Sequence, residues 1–223
     1  MMIDYATKRR HMVESQLRPN GVTDLRINLA MLDIPRERFV APSRQSFAYI
    51  DEDVPVTDQG RDPRCVIEPM VFARMVQLAD ISADDIVLDV GCGLGYSTAV
   101  LSRLAQSVVA LESDPQFVSE ASSRLSDISV SNAAVVEGPL AQGFAKEAPY
   151  DAIVINGRVE EVPDALLDQL KEGGRLVAVV DHGPLGKATL FVKQNNTVSR
   201  RVAFDATIAR LSGFEKKRSA FIF

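Results

Sequence analysis

The chain has 223 residues, 46% hydrophobic and 25% charged, with 13 Gly and 11 Pro, which excludes disordered and fibrous classes and suits one α/β domain with a modest extension. Its 25 Lys and Arg against 30 Asp and Glu give a net charge of −5, the wrong balance for a protein built to grip nucleic-acid phosphates. No apolar run approaches the roughly 18 residues of a membrane span, no leader pattern opens the chain, and Cys65 and Cys92 form no CxxC pair, so a cytoplasmic protein with reduced thiols is expected.

Residues 4–18 and 22–32 predict two short helices, with Tyr5, Met12 and Leu17 and then Leu25, Leu29 and Leu32 at helical spacing around Pro19-Asn20-Gly21. The basic clusters Lys8-Arg9-Arg10-His11 and Lys216-Lys217-Arg218 lack interleaved aromatics and read as solvated ends of elements. Between Pro35 and Pro69 the prolines and Asp51-Glu52-Asp53 predict an irregular cover. After Glu68-Pro69, the three- and four-residue steps of Met70, Val71, Met75, Leu78 and Ala79 predict an amphipathic helix.

Ile86-Val87-Leu88-Asp89-Val90 then reads as a strand, followed by a glycine loop and a helix from Tyr96 to residue 105. The pattern recurs with apolar runs at 108–111, 133–136, 152–155 and 176–180 and helical stretches at 115–125 and 163–170. Short strands apolar on both faces and alternating with helices predict a mostly parallel, doubly wound α/β sheet. Residues 188–193, 198–204 and 219–223 lack a helical period and are expected as antiparallel strands at the C-terminal edge. The sheet core then spans 82–223, and residues 1–81 form an N-terminal helical and irregular cap.

Asp89-Val90-Gly91-Cys92-Gly93-Leu94-Gly95-Tyr96 joins the first core strand to a helix, the place where a doubly wound sheet binds its ligand. A side chain at Gly91 or Gly93 would obstruct a ligand approaching the backbone, and Gly95 lets the helix begin tight against the loop. Tyr96 stands where a dinucleotide fingerprint needs its last glycine, which counts against a pyrophosphate there and hence against a nicotinamide dehydrogenase. Glu112 ends the second strand, about 20 residues on, where a carboxylate accepts both hydroxyls of an adenosyl ribose. An acid ending strand one, GxGxG and an acid ending strand two together resemble Rossmann-like methyltransferases that use S-adenosylmethionine. On that likeness Asp89, Gly91, Cys92, Gly93, Gly95, Tyr96 and Glu112 are the candidate cofactor residues. With no Lys or Arg in the loop, the region also suits a sulfonium cation better than a phosphate.

His11-Met12-Val13-Glu14-Ser15-Gln16-Leu17, Ile34-Pro35-Arg36-Glu37-Arg38-Phe39-Val40, Ala48-Tyr49, the glycine loop, and the stretches at 148–154 and 163–177 are, in this order, similar to protein-L-isoaspartate O-methyltransferases. That resemblance implies methyl-ester formation on isoaspartyl carboxylates of damaged proteins, with protein or peptide partners and neither nucleic acid nor membrane. It also exposes departures. The family's Thr-Ile-Ser-Gln-Pro-like segment reads Cys65-Val66-Ile67-Glu68-Pro69 here, so Ile67 stands at the serine. The adenine-facing Asp of Gly-Asp-Gly is Pro139, and Glu137 is a possible substitute.

Two side chains are candidates for acceptor chemistry. Glu68 reads as a helix N-terminal acid, as a general base toward a neutral nucleophile, or as a direct contact to the cofactor. Arg158 reads either as a fork for a substrate carboxylate or as a surface Arg facing Glu160 or Glu161. With only His11 and His182 and no ligand-spaced cluster, no metal is expected. The residues leave two classes open, a methyltransferase and a non-catalytic cofactor-binding regulator.

Overall fold

The computed structural model describes residues 4–58, 64–183 and 185–215. The predicted strand at 219–223 and the Lys216-Lys217-Arg218 cluster lie outside them.

A seven-stranded sheet organises the chain: β3 (Ile86–Val90), β4 (Ser107–Glu112), β5 (Ala133–Glu137), β6 (Tyr150–Val159), β7 (Leu170–His182), β8 (Leu185–Gln194) and β9 (Thr197–Ala206). Their order is β5-β4-β3-β6-β7-β8-β9. The first five run parallel, and β8 and β9 return antiparallel as the predicted edge. Because β4 lies on one side of β3 and β6 on the other, the winding reverses at β3, and a crevice opens beyond the C-terminal ends of these strands.

Alternate residues of the strands feed two apolar layers. Val87, Val108, Val154 and Val177 face one layer, shared with helices α3 (Pro69–Ala79), α4 (Tyr96–Leu101) and α5 (Pro115–Asp127). Leu88, Val109, Ile153 and Leu176 face the other, which is closed by Leu140, Leu166 of the one-turn helix α6 (Asp164–Leu167), and Leu211 and Phe214 from the last described segment. The stretch predicted helical to 170 stops after one turn because Leu170 already pairs with Tyr150 in the sheet.

The N-terminal part packs on the first layer. Helix α1 (Tyr5–Met12) widens into a π-type turn over Val13–Leu17, and α2 (Leu25–Asp33) starts at Asp24, whose carboxylate caps the Arg26 N–H. Leu25 and Leu29 of the predicted apolar stripe point outward, at 61% and 54% exposure, whereas Ile27 and Met31 are buried at 2% and 0%. Helix α2 is apolar on two sides, and the face carrying Ile27, Ala30 and Met31 is the one that meets the core. A two-residue ladder, β1 (Val54–Pro55) with β2 (Cys65–Val66), lies in the predicted irregular cover. No helix among the described residues is long and apolar enough to cross a membrane.

Candidate active site

The glycine turn emerges from β3 with Gly91 and Gly93 both at positive φ, +74° and +54°. The left-handed backbone favours glycine at both positions, and packing differs between them. A Cβ at Gly91 would lie 2.9 Å from a Leu211 methyl, so this glycine admits the C-terminal segment beneath the loop. At Gly93 the nearest atom is Val56 Cγ1 at 3.8 Å; here the left-handed backbone is the constraint, and it aims the Gly93 N–H at Glu112 Oε2, 2.9 Å away. Gly95 supplies the left-handed cap from which α4 starts.

Glu112 has no solvent exposure. It accepts from the Gly93 and Ser113 amides and from the Arg64 guanidinium, with Arg64 Nη2 at 2.9 Å from Oε1 and Nε at 3.3 Å from Oε2. Burial alone would raise its pKa, but Arg64 and the amides outweigh burial and hold the carboxyl below its usual value. Arg64 is as deeply placed, with its side chain 3% exposed, and also donates to Ser113 Oγ at 3.1 Å.

Asp89 is likewise fully buried, and its partners are neutral. Ser97 Oγ and Thr98 Oγ1 donate to Oδ2 at 2.7 and 2.6 Å, and Asn156 Nδ2 donates to Oδ1 at 2.5 Å. Burial dominates these bonds and pushes its pKa up to about 6. Its carboxylate ties the first turn of α4 and Asn156 of β6 to β3.

The crevice over this turn is lined by Val56, Cys65, Ile67, Cys92, Tyr96 and Asn156, and its free space of about 20 Å³ has room for little more than a water molecule. Cys92 is buried, with its thiol pKa driven well up by burial. Tyr96 turns its ring into the cap, against Phe39, Phe72 and the Arg36 guanidinium, whose centre lies 4.9 Å from the ring centroid. Its hydroxyl is buried beside Arg36 without a well-formed hydrogen bond.

The rim is the Cys65-Val66-Ile67-Glu68 segment, held from two sides. Arg36, fully buried, donates from Nη2 to Ile67 O at 2.8 Å and from Nε to Ala48 O at 2.6 Å. Asp53 accepts the Glu68 N–H on one oxygen and the Ala209 N–H on the other, both at 2.8 Å. Glu68 occupies the N-cap of α3 without making a side-chain cap bond, and burial together with Asp51, Asp53 and Glu52 raises its pKa.

Arg158 stands farther along the crevice. Its Nε lies 3.1 Å from Asp181 Oδ1, and it lines a cavity of about 90 Å³ with Glu160, Arg210 and Phe214. Its ion-pair partner is therefore Asp181, at the end of β7, whereas Glu160 pairs with Arg210 at 3.2 Å. Glu137 is exposed, in register with Glu112 on the neighbouring strand. Sequence reasoning did not single out Arg64, Arg36, Asp53, or the hydroxyls of Ser97 and Thr98. Among the described residues, no group of three or more His, Cys, Asp or Glu is placed to hold a metal.

The sequence matches the model of the protein-L-isoaspartate(D-aspartate) O-methyltransferase family over residues 7–208. The chain belongs to that family. It is 39% identical over 173 residues to the protein-L-isoaspartate O-methyltransferase of Methanoculleus marisnigri, which covers 78% of this chain and 77% of that protein. Over 209 residues it is 34% identical to the Koribacter versatilis protein of the same name, covering 94% and 92%. A solved protein-L-isoaspartate O-methyltransferase superposes with a TM-score of 0.83 at 27% identity, covering 92% of this chain and 67% of that one. A Plasmodium falciparum structure titled a putative member, in complex with S-adenosyl-L-homocysteine, shares the fold at a TM-score of 0.79 and 19% identity.

Membership makes S-adenosylmethionine the methyl donor, and the residues present fit it. Glu112 lies at the end of β4 beside a turn whose Gly93 amide already addresses its carboxylate. The missing Cβ of Gly93 keeps the backbone open to a ligand, and no Lys or Arg within the loop would oppose a sulfonium. Ile67 on the rim is a buried alkyl group with no hydroxyl.

Proposed function

We propose that this chain forms methyl esters on isoaspartyl carboxylates of proteins or peptides, as a cytoplasmic enzyme without nucleic-acid or membrane partners. One observation carries the reading: the family's acceptor segment, Cys65 to Glu68, forms the rim of the same crevice whose floor is the Gly91–Tyr96 turn. Both free cysteines and the net charge of −5 support the compartment and the preference for a protein acceptor.

Bound S-adenosylmethionine supplies an electrophilic methyl group on a sulfonium. The chain's own residues do the positioning. Glu112 is the group for the ribose hydroxyls, and the Gly91 to Gly95 backbone, Cys92 and Tyr96 shape the approach. Asp89 acts through the clamp that it makes on Ser97, Thr98 and Asn156. An acceptor carboxylate is already ionised at neutral pH, so no side chain has to remove a proton, and alignment can provide most of the rate enhancement. That accounts for tolerance of Ile67 at the serine position, and it assigns Glu68 to the helix start rather than to base catalysis.

The test is incubation with methyl-labelled S-adenosylmethionine and paired isoaspartyl and aspartyl peptides, counting base-labile methyl. Label on the isoaspartyl peptide alone is the expected result. Label on neither, with the cofactor bound, would overturn the acceptor assignment.

A further inference from the structure

The second apolar layer extends onto the antiparallel edge through Phe191. Its cross-strand rows there are Leu176–Phe191–Arg200, Ala178–Thr189–Val202 and Val180–Lys187–Asp205. Simple alternation along β9 would not bring Arg200 and Val202 to this side. Phe204 and Ala206 pack on the first layer, and Val202 and Arg200, two and four positions before Phe204, would follow it there. The register slips by one residue opposite Ala188 and Thr189, leaving Ala203 without a cross-strand partner, so the side chains before it change face. Bulges of this kind re-aim side chains and are frequent at sheet edges and beside functional sites.

The bulge completes a cavity of about 220 Å³ with Val180, Phe191 and Val202 as its apolar floor and His182, Lys187 and Arg200 on its rim. Val202 is 52% exposed. Neither Arg200 nor His182 makes a hydrogen bond or ion pair among the described residues. Lys187 Nζ lies 3.4 Å from Asp205 Oδ1 in an exposed pair, an arrangement that contributes little. Asp181, the one acid lining the cavity, is already shared between Arg158 Nε at 3.1 Å and Arg210 Nη2 at 2.5 Å. Within a chain of net charge −5, this cavity therefore sets uncompensated positive charge over an apolar surface. Its chemical complement is an acidic side chain next to an apolar one.

The cavity opens at the C-terminal end of β7, the end of the sheet that carries the crevice. Arg210 lines a small cavity beside Cys65 and Ile67 and also the larger one that contains Arg158. Asp181, held by both arginines, lines the cavity on β8 and β9. The acceptor rim, the arginine pair and the edge cavity thus follow one another along one end of the sheet. We propose that the edge cavity is a distal subsite for the acceptor polypeptide, holding an acidic side chain at Arg200 and Lys187 and an apolar neighbour on Phe191 and Val202. The identity of the occupant rests on the isoaspartyl reading of the acceptor; the cavity's preference for acidic peptide does not.

The full chain, S-adenosylmethionine and isoaspartyl peptides of equal length test the subsite, with a Glu-Leu pair moved from about two to about eight residues away on either side. At a favoured spacing, KM should fall roughly 10-fold relative to a Ser-Ala pair, with kcat unchanged: an exposed ion pair supplies up to about fivefold, and partial burial of the leucine adds the remainder. Arg200→Gln should return this KM ratio to near one. Arg201→Gln removes the same charge from the other face of β9, in the row of Leu190, and should preserve the ratio. Absence of any favoured spacing overturns the proposal, as does a ratio that survives Arg200→Gln. A ratio lost equally in both variants also overturns it, in favour of a general field or of charge that merely protects an edge strand. Fluorescence anisotropy of a labelled Glu-Leu peptide carrying ordinary aspartate separates the cavity from the acceptor reading. Weaker binding to Arg200→Gln than to Arg201→Gln supports the cavity, and failure to methylate any isoaspartyl peptide then counts against the acceptor reading alone. Equal binding to the two variants overturns the cavity even where isoaspartyl peptides are methylated. An oligonucleotide that displaces the peptide and itself depends on Arg200 would overturn it in favour of a phosphate site.

Discussion

Asp89 and Glu112 end neighbouring strands and are both buried, yet their protonation is driven in opposite directions by what donates to them. Three neutral groups on Asp89 do not compensate for burial, and its pKa reaches about 6 against 3.8 for a free aspartate. The folded state therefore holds this proton more tightly than the unfolded chain, and stability from this group falls as pH rises from about 4 to about 6. Ionised Asp89 costs roughly 3 kcal/mol at neutral pH, at about 1.4 kcal/mol per pKa unit. Glu112, lowered by Arg64 and two amides, contributes stability that is present above the ordinary glutamate pKa and lost as pH falls through its own lowered value. The prediction for Asp89→Asn is that its stability relative to the unmodified protein is greater near pH 7 than near pH 4.5 by roughly 2 kcal/mol in urea unfolding; a difference independent of pH would contradict the buried charge. The glycine turn, Asp89 and Glu112 were legible because each closes or follows a strand that local pattern identifies. Arg64 was not, since its partner lies 48 positions away, inside a stretch whose prolines leave no periodicity to set direction. Asn156 was not either, since its bond to Asp89 spans 67 positions and follows only from the pairing of β3 with β6.

At the level of elements, the rim segment has almost no secondary structure of its own. Its ladder is two residues long, so its shape is imposed by Arg36 and Asp53 of the cap, the second of which also ties it to Ala209 of the C-terminal segment. Replacing Arg36 with Met leaves the carbonyls of Ala48 and Ile67 without this donor and should cost about 1.5–3 kcal/mol, the range for hydrogen bonds that involve a charged group. Amide exchange should separate this from a general loss of stability. Exchange at residues 65–68 should accelerate beyond the global change, and uniform acceleration across β6 to β8 would show that Arg36 does not act locally. Element type was readable wherever a single periodicity dominated, as in α3 and β3. The facing of α2 was not, because Leu25, Leu29 and Leu32 make as regular a stripe as Ile27, Ala30, Met31 and Ile34. Only packing against the rest of the cap and the sheet chooses between them.

Across the whole molecule, one apolar cluster runs from Met12 and Leu17 through Phe39 and Phe72 to Val154 and Val177 of the sheet. Arg175 of β7 reinforces the join, donating to the carbonyls of Ala79 and Asp80 at the end of α3, to Asp151 O in β6 and to Asp85. We predict that residues 1–81 and 82–223, although separable by composition, unfold together. Urea transitions followed by far-ultraviolet circular dichroism and by amide exchange in α1 and α2 should coincide, and an earlier transition in the helices would show the cap to be independent. Strand type and sheet class were open to prediction from the alternation of apolar runs, but the order β5-β4-β3-β6 was not, since every run is apolar on both faces and pairs equally well by pattern. The packing of Leu211 beneath Gly91 carries this dependence on distant residues into time. During synthesis the glycine turn leaves the ribosome long before the residue that supports it, and bringing the two together closes a loop of much of the chain. The cofactor turn is made early and sets late, so a nascent chain that already contains every residue lining it still awaits its floor.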